Sequence, residues 1–564
     1  MLPGPAAGRP TAYVDHPAAV AAVAPGPAGP PLVPARAAGA PTVARNAVVM
    51  AVGTTLSRLS GFGRVLAVAW VLGQGTLSDA YNQANTVPNT IYELLLGGVL
   101  SATLLPVLMQ SLGRHDRHED DDAVPAVVCF LTVVLIVATL LFWLCAPAVI
   151  DFYFLAKHPG AQTSAEKALA TAWLKLFTPQ LLFIGLITLT TALLNARRRF
   201  AAVAFSPVVA NVVTIAALVV ADRLLPHGTV GAYRKDTTAL AVVGIGTTAG
   251  YLAQLLAQLP AIFRAGIPLR LRWLPSHQAL RTIGRLSGWT LGAVVANQVS
   301  FTLVTVLFLR TGGNFSAFSY AYAFMLLPHA VLAVSIAYAV APDLAELWSN
   351  GERERFASRM SQAVRVTVLL VVPAGVGYAL VARPVVVLAL AHGNFAAPSA
   401  HLTWVLLAIF ALGLPGFSTY LLLMRAFQSK QDTRSMFWLY VLENTITVVA
   451  AAAAYPAFGA RGLTAAWIGG YTLALPFAWW RLRESARVTV AANWWAKVFA
   501  ATGVMAGAVW VVLRLVPAPS SVALSALRLC LVIGAGGAVF YTSARLLRTS
   551  ELTGLMARHR SPAP

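Results

Sequence analysis

Hydrophobic positions in this chain come in long, nearly unbroken runs, not in the alternating stripes of half-buried strands or surface helices. Runs of roughly 20 apolar residues or more, the length a helix needs to cross a bilayer core, recur about fourteen times. Their approximate limits are 46–73, 78–111, 124–154, 167–195 and 200–225, then 237–264, 284–310, 313–347 and 361–391, then 398–428, 434–457, 459–482, 494–516 and 520–547. The pattern predicts an all-α polytopic membrane protein. Residues 1–43 are rich in Ala, Pro and Gly and hold no run of spanning length, so they read as a disordered cytoplasmic tail and not as a signal peptide. A docking role for the Pro-rich patch PGPAGPPLVP is the less economical alternative.

The polar connections alternate in kind. One set carries Arg114 and Arg117, Arg197 to Arg199, Arg264 with Arg270, Arg272 and Arg281, Arg353 with Arg355 and Arg359, Arg425 with Lys430 and Arg434, Arg481 with Arg483 and Arg487, and Arg545 onward into the tail 548–564. The other set, including GQGTLS, HGNFAAPS and VPAPSS, is almost free of Lys and Arg, with GAYRKD as its main exception. The positive-inside rule places both termini in the cytoplasm, which agrees with an even number of spans.

Composition sharpens this picture. With 58% hydrophobic residues, 11% charged and a mean hydropathy of +0.71, the chain is too apolar for a soluble globule. A net charge of +21 would suggest nucleic acid in a soluble protein, but here the basic residues cluster between spans and read as topology signals, so no nucleic-acid partner is expected. Cys129, Cys145 and Cys530 fall inside spans without metal-ligand spacing and read as small apolar residues. There is no HExxH, GxSxG, Walker A loop or CxxC pair, and so no catalytic or metal constellation.

Charge inside a span is the exception that needs a reason. Counting from Asn46, Arg58 lies about 18 Å and Arg64 about 27 Å along the first helix. An arginine near the bilayer centre costs a few kcal/mol and must face protein or a watery cavity. The two lie roughly 120° apart around the helix, so one wide cavity face can hold both. Pairing with the carboxylate of Glu93 is the plain alternative. The small neighbours Ser57, Ser60, Gly61 and Gly63 leave room for an anionic ligand and favour a cationic cavity for phosphate.

Four motifs around these arginines carry a resemblance. S-R-x-x-G-F-x-R at Ser57 to Arg64, S-D-A-Y at Ser78 to Tyr81, V-P-N at Val87 to Asn89 and L-x-P-V-L at Leu104 to Leu108 resemble, without a gap, the opening of the MviN/MurJ lipid II flippases. That family belongs to the multidrug, oligosaccharidyl-lipid and polysaccharide exporter superfamily. The resemblance covers roughly residues 44 to 550. It implies two six-helix lobes around a central cavity, here 44–265 and 284–483, and two appended helices, 494–547, that line a groove for a lipid tail.

A weak internal repeat fits two such lobes. S-D-A-Y-N-Q-A from Ser78, followed by Pro88 and Pro106, corresponds to F-S-A-F-S-Y-A from Phe315, followed by Pro328 and Pro342. Hinging is expected at Pro88, at Gly97 and Gly98, and at Pro328, where helix regularity breaks at cavity depth. Asp79 reads either as a helix cap or as a gating residue, and the importance of the matching family aspartate favours gating. Gly503, Gly507, Gly534, Gly536 and Gly537 read as points of close contact between the last two helices.

The chain also departs from its better-known relatives. Where proteobacterial members carry two arginines after V-P-N, it has Tyr92 and Glu93; where they carry A-D-R-L-M-E-F-P, it has A-Y-A-F-M-L-L-P, with Tyr322 and Ala323 at the Asp and Arg positions. Lys175 is a candidate replacement charge, with pairing to Glu93 as its alternative. His329, beside Pro328, reads as a packed or kink-lining histidine before a proton relay. Glu443, Asn444 and Thr447 put oxygen-bearing side chains on one helix at membrane depth, where they form a candidate Na+ or H+ site or a structural hydrogen-bonded group.

The resemblance therefore implies a transporter and not an enzyme: a flippase carrying an undecaprenyl-pyrophosphate-linked peptidoglycan precursor across the bacterial cytoplasmic membrane by alternating access. Arg58, Arg64, Ser57, Lys175, Glu93 and Asn89 are its expected substrate-binding residues. Membrane lipids are expected partners, with cell-wall synthesis or division proteins as further candidates. Two alternatives stand beside it: an exporter of another lipid-linked glycan or a drug/cation antiporter of the same superfamily, and a non-transporting scaffold for cell-wall or division enzymes.

Overall fold

The computed structural model describes residues 40–97, 123–197, 199–267, 272–274, 288–395, 400–517, 519 and 521–549. Predictions for the N-terminal tail before residue 40, for Gly98, for the L-x-P-V-L motif and for the tail beyond residue 549 lie outside these residues. All regular structure among them is helical. The helices are α1 (Ala40–Leu72), α2 (Thr76–Tyr92), α3 (Ala123–Tyr153), α4 (Ala161–Phe177), α5 (Gln180–Ala196), α6 (Phe200–Leu224), the short α7 (Val230–Lys235) and α8 (Thr237–Arg264). They continue as α9 (Gly288–Phe308), α10 (Asn314–Pro328), α11 (Ser335–Ser349), α12 (Arg353–Leu390), α13 (Ala400–Ser429), α14 (Thr433–Ala486), α15 (Ala492–Leu515) and α16 (Val522–Leu546).

Among the described residues, eleven helical stretches are long and apolar enough to cross a membrane. The longest, Thr433–Glu484, is two spans folded at Gly459, whose φ of 54° no helix admits, just after Pro456. Helices α1 and α2 fall outside that apolar set, and they are the two that carry the candidate site. With them and the folded α14, the helices fill the fourteen expected span positions.

Packing follows small residues. A Cβ at Gly53 would strike Ala204, and one at Gly250 would strike Thr214, so α1 and α8 both lie tight against α6. In the second half, α13 packs between α12 and α14, and Gly416 lies against Thr472. The final pair, α15 and α16, packs on α12 through Val381, Met505, Val509 and Val532. Of the five glycines expected at the α15–α16 contact, only Gly536 makes a close one, against Val509; Gly503, Gly507, Gly534 and Gly537 face open space.

Two prolines interrupt helices at equivalent places. Pro88 lies inside α2, which passes into a π-helical turn at Glu93–Gly97, and Pro328 ends α10, which passes into a π-helical turn at His329–Val334. Such turns are rare and concentrate at functional sites. Pro328 has no N–H for the carbonyl of Phe324, and the Tyr378 hydroxyl on α12 donates to that oxygen instead, at 3.2 Å.

Candidate functional site

The site lies along the seam where α1 and α2 meet α10 and α12. Phe62 on α1 and Phe324 on α10 pack edge to face across it, with ring centroids 4.9 Å apart. Since α1 runs toward the GQGTLS turn and α10 runs away from it, this aromatic pair divides the seam into an arginine-poor end and an arginine-rich end.

The arginine-poor end is closed by hydrogen bonds. Asp79 is fully buried and reaches across the seam, accepting from the backbone N–H of Gly313 at 2.6 Å and of Ser316 at 2.7 Å. It thereby caps the first turn of α10, whose own N-cap residue, Gly313, has no side chain to do so. Of the two readings of Asp79 the fold shows the cap: it is a helix cap supplied by the opposite half of the chain. Tyr320 donates to the carbonyl of Gly73 at 2.9 Å and Ser78 donates to the Tyr320 oxygen at 2.5 Å, while Asn82 donates to Ser78 at 3.2 Å.

Two turns interlock beside this network. The backbone N–H of Asn394 donates to Trp70 O at 2.7 Å, its side-chain amide donates to Val71 O at 2.6 Å, and the Trp70 indole donates to Ala389 O at 2.9 Å. Gly73 and Gly393 have φ of 69° and 59°; a Cβ on the first would meet Asn394 O at 2.7 Å, and on the second Trp70 O at 2.5 Å. Only glycine permits that approach.

The two arginines fall on opposite sides of the aromatic pair. Arg64 is buried, 7% exposed, in a cavity of about 10 Å³ lined by Val65, Val68, Tyr81, Asn82, Asn85 and Tyr320. That is room for about one water molecule, not a phosphate. Arg58, one helical turn to the arginine-rich side of Phe62, has an exposed side chain and acts electrostatically on His329 and Tyr338 of the opposite half. The expectation of one wide cavity holding both arginines is therefore not met in this conformation: the seam closes between them.

The other expected site residues fall in different places. Ser57 is buried beside α6, where Asn211 donates to its carbonyl at 3.5 Å and to Ser60 Oγ at 3.0 Å. Lys175 lies over the ring of Trp143 on α3, 5.1 Å from its centroid, and does not line the Arg64 cavity. Asn89 donates to Asn85 O at 3.1 Å within α2. Glu93 opens the first π-helical turn, which touches α9, and Gly97 closes it. At two positions where relatives carry charged residues, Tyr92 is buried with its hydroxyl 2.8 Å from Thr188, and Tyr322 is buried against Phe318 and Phe410.

In the second half, Glu443 is 1% exposed; Thr447 donates to its Oε1 at 3.1 Å, and among the described residues its Oε2 has no hydrogen-bond partner. Asn444 donates to Tyr440 O at 2.8 Å and so turns along its own helix. Tyr420, Tyr440 and Tyr471 surround the carboxyl group, and the Tyr420 hydroxyl is likewise unpartnered. No group of three His, Cys, Asp or Glu side chains suited to a metal occurs among the described residues. His329, read from sequence as a packing residue, has one ring nitrogen without a partner among the described residues.

Comparison with known proteins gives a consistent result. Residues 68–530 match the family model described as Lipid II flippase MurJ. A probable lipid II flippase MurJ of Vibrio cholerae serotype O1 is 27% identical over 397 residues, covering 69% of this chain and 73% of that protein. One from Rhizobium meliloti is 27% identical over 517 residues, covering 87% and 92%. Among solved structures, a lipid II flippase MurJ in an inward closed conformation aligns with a TM-score of 0.72 at 18% identity, over 89% of this chain and all of that one. An inward-facing multidrug transporter of the MATE family aligns at 0.60 and 13% identity, over 76% and 96%. The likeness to these structures establishes the shared helical fold, and the match along most of the chain shows that the protein belongs to the lipid II flippase MurJ family.

Proposed function

We propose that this protein moves lipid II from the inner to the outer leaflet of the bacterial cytoplasmic membrane by alternating access. The observation that carries the reading is the asymmetric seam: one deep arginine, Arg58, open at the arginine-rich end and a second, Arg64, sealed toward the other. Segments 44–265 and 284–483 are the two lobes that rock, bending at the π-helical turns after Pro88 and Pro328. The positive-inside rule supports cytoplasmic termini, so the latched end faces outward and Arg58 is reached from the side of the inner leaflet. A guanidinium suits the pyrophosphate because it presents several donors in a fixed plane. When the Asp79 latch opens, the headgroup passes to Arg64, with Tyr81, Asn82, Asn85 and Tyr320 around it. The prenyl chain stays in lipid along α15 and α16.

Each negative charge carried outward gains about 2.3 kcal/mol per 100 mV of inside-negative potential. The return of the empty carrier is assigned to a cation, Na+ or H+, taken up at Glu443 beside Thr447 and Tyr420. A buried carboxyl group with one unpartnered oxygen needs either a proton or a cation to be tolerable there. Glu443→Gln with unchanged cation dependence of transport would remove that role. The reading as a whole is tested by lipid II headgroup exposure at the outer leaflet in cells depleted of this protein. Depletion is expected to abolish exposure, wild type to restore it and Arg58→Ala to fail; persistence of exposure without the protein overturns the reading.

A further inference from the structure

We propose that His329 is a substrate-contacting residue, its Nε2–H donating to the pyrophosphate so that His329 and Arg58 clamp it from opposite lobes. The inference rests on the lipid-pyrophosphate reading above but concerns a residue the sequence alone leaves as packing. Its first support is position. His329 begins the π-helical turn that follows Pro328, and it lies on the same side of the Phe62–Phe324 closure as Arg58, within electrostatic range of that guanidinium.

Its second support is the hydrogen-bond inventory. The ring packs on Phe417 with centroids 4.7 Å apart, and Nδ1 sits 2.9 Å from the hydroxyl of Ser418, both on α13. In the proposed clamp the Ser418 O–H, whose one partner among the described residues is Nδ1, donates to that nitrogen, and Nδ1 serves as acceptor. The proton of a neutral imidazole then resides on Nε2. Nε2 is buried, in a residue 4% exposed, and has no partner among the described residues. A histidine kept only for packing is expected to satisfy both nitrogens. With Ser418 donating to Nδ1, Nε2 is left as a poised donor. The second lobe, which has Tyr322 and Ala323 where relatives carry charged groups, thus supplies a neutral donor in place of a cation.

The test measures binding of lipid II, and separately of undecaprenyl pyrophosphate, to purified full-length protein in detergent. The variants are His329→Leu, His329→Gln, Ser418→Ala and Arg58→Ala, with thermal unfolding as the control for folding. His329→Leu is expected to weaken binding of both lipids about tenfold, the value of a hydrogen bond to a charged group. His329→Gln, whose amide reaches near the Nε2 position, is expected to stay within about threefold of wild type, and Ser418→Ala to fall between, because it frees the tautomer. A folded His329→Leu that binds like wild type, or a folded His329→Gln as weak as the leucine variant, overturns the inference. If Arg58→Ala is impaired while His329→Leu is not, the flippase reading stands and the clamp falls. If undecaprenyl pyrophosphate shows the expected pattern and lipid II does not bind, the clamp stands and the substrate assignment falls; if neither binds, both fall.

Discussion

The two ends of the seam are built from different materials. At the arginine-poor end, closure is made by directed polar contacts: a carboxylate on two backbone N–H groups, a tyrosine–serine–asparagine chain and two glycine turns in backbone contact. Toward the arginine-rich end, the first half of α1 presents Val52, Leu56 and Leu59 with exposed side chains, and Arg58 among them. A hydrogen-bonded interface is satisfied in one geometry and open to water in another, so it can switch between two discrete states, whereas an interdigitated apolar core cannot separate cheaply. The closed end accordingly carries, beside its apolar core, the polar contacts that a second geometry can exchange for water.

The largest expected effect comes from preventing that switch. Gln74 and Thr403 touch across the closed end, with the Thr403 hydroxyl donating to Gln74 Oε1 at 2.8 Å. In a background lacking Cys129, Cys145 and Cys530, Gln74→Cys with Thr403→Cys joined by a short reducible cross-linker is expected to abolish lipid II exposure completely, with recovery on reduction. Transport that continues in the cross-linked protein would show that this end does not open and would break the comparison between the two ends.

Much of this architecture is legible in the sequence. Span limits follow from the length of the apolar runs, and the break between the eleventh and twelfth spans lands at Gly459 because only Gly tolerates its φ. Both π-helical turns lie just beyond prolines marked as hinges, since a missing N–H declares itself locally. Partnerships across the fold are not legible in this way. Asp79 reads as a cap or a gate from its position alone, and only the fold shows that the N-cap residue of the helix it caps lies 234 residues away. Ser57 and Arg58 are chain neighbours whose side chains leave α1 about 100° apart, and which face of α1 meets Asn211 on α6 is set by the fold and not by spacing within α1.

A smaller effect is expected from loosening the closed end without locking it. Asp79→Ala removes two hydrogen bonds to a charged acceptor, each worth about 1.5–3 kcal/mol, and leaves the first turn of α10 uncapped. The balance between closed and open states should shift about a hundredfold or more toward open. Arg64→Cys supplies the readout: a water-soluble thiol reagent added from outside should modify it slowly in an otherwise native chain and at least about tenfold faster with Asp79→Ala. The same reagent added from the cytoplasmic side should reach Arg58→Cys quickly in either background. Equal rates at the two positions in the native background would mean that the Phe62–Phe324 pair is no barrier, and the seam would have one compartment instead of two.

The smallest effect is expected at Lys175, and it tests where the cationic character of the site ends. By sequence, a lysine in the fourth span is a candidate to replace the arginines that relatives have in the cavity. In the fold its ammonium group lies over Trp143, a half-exposed ring on α3, and is itself only half-buried. A cation–π contact at such a partly solvated position is worth about 0.5–1 kcal/mol, and a methionine of similar length retains the apolar packing of the lysine stem. Lys175→Met should therefore leave lipid II exposure within about twofold of wild type and lower stability by no more than about 1 kcal/mol. Arg58→Ala abolishes exposure in the same assay if the cationic site is confined to the seam. A Lys175→Met protein that folds normally yet transports as poorly as Arg58→Ala would extend the substrate path outward between α3 and α4, and charge at membrane depth would then serve the substrate away from the seam as well as in it.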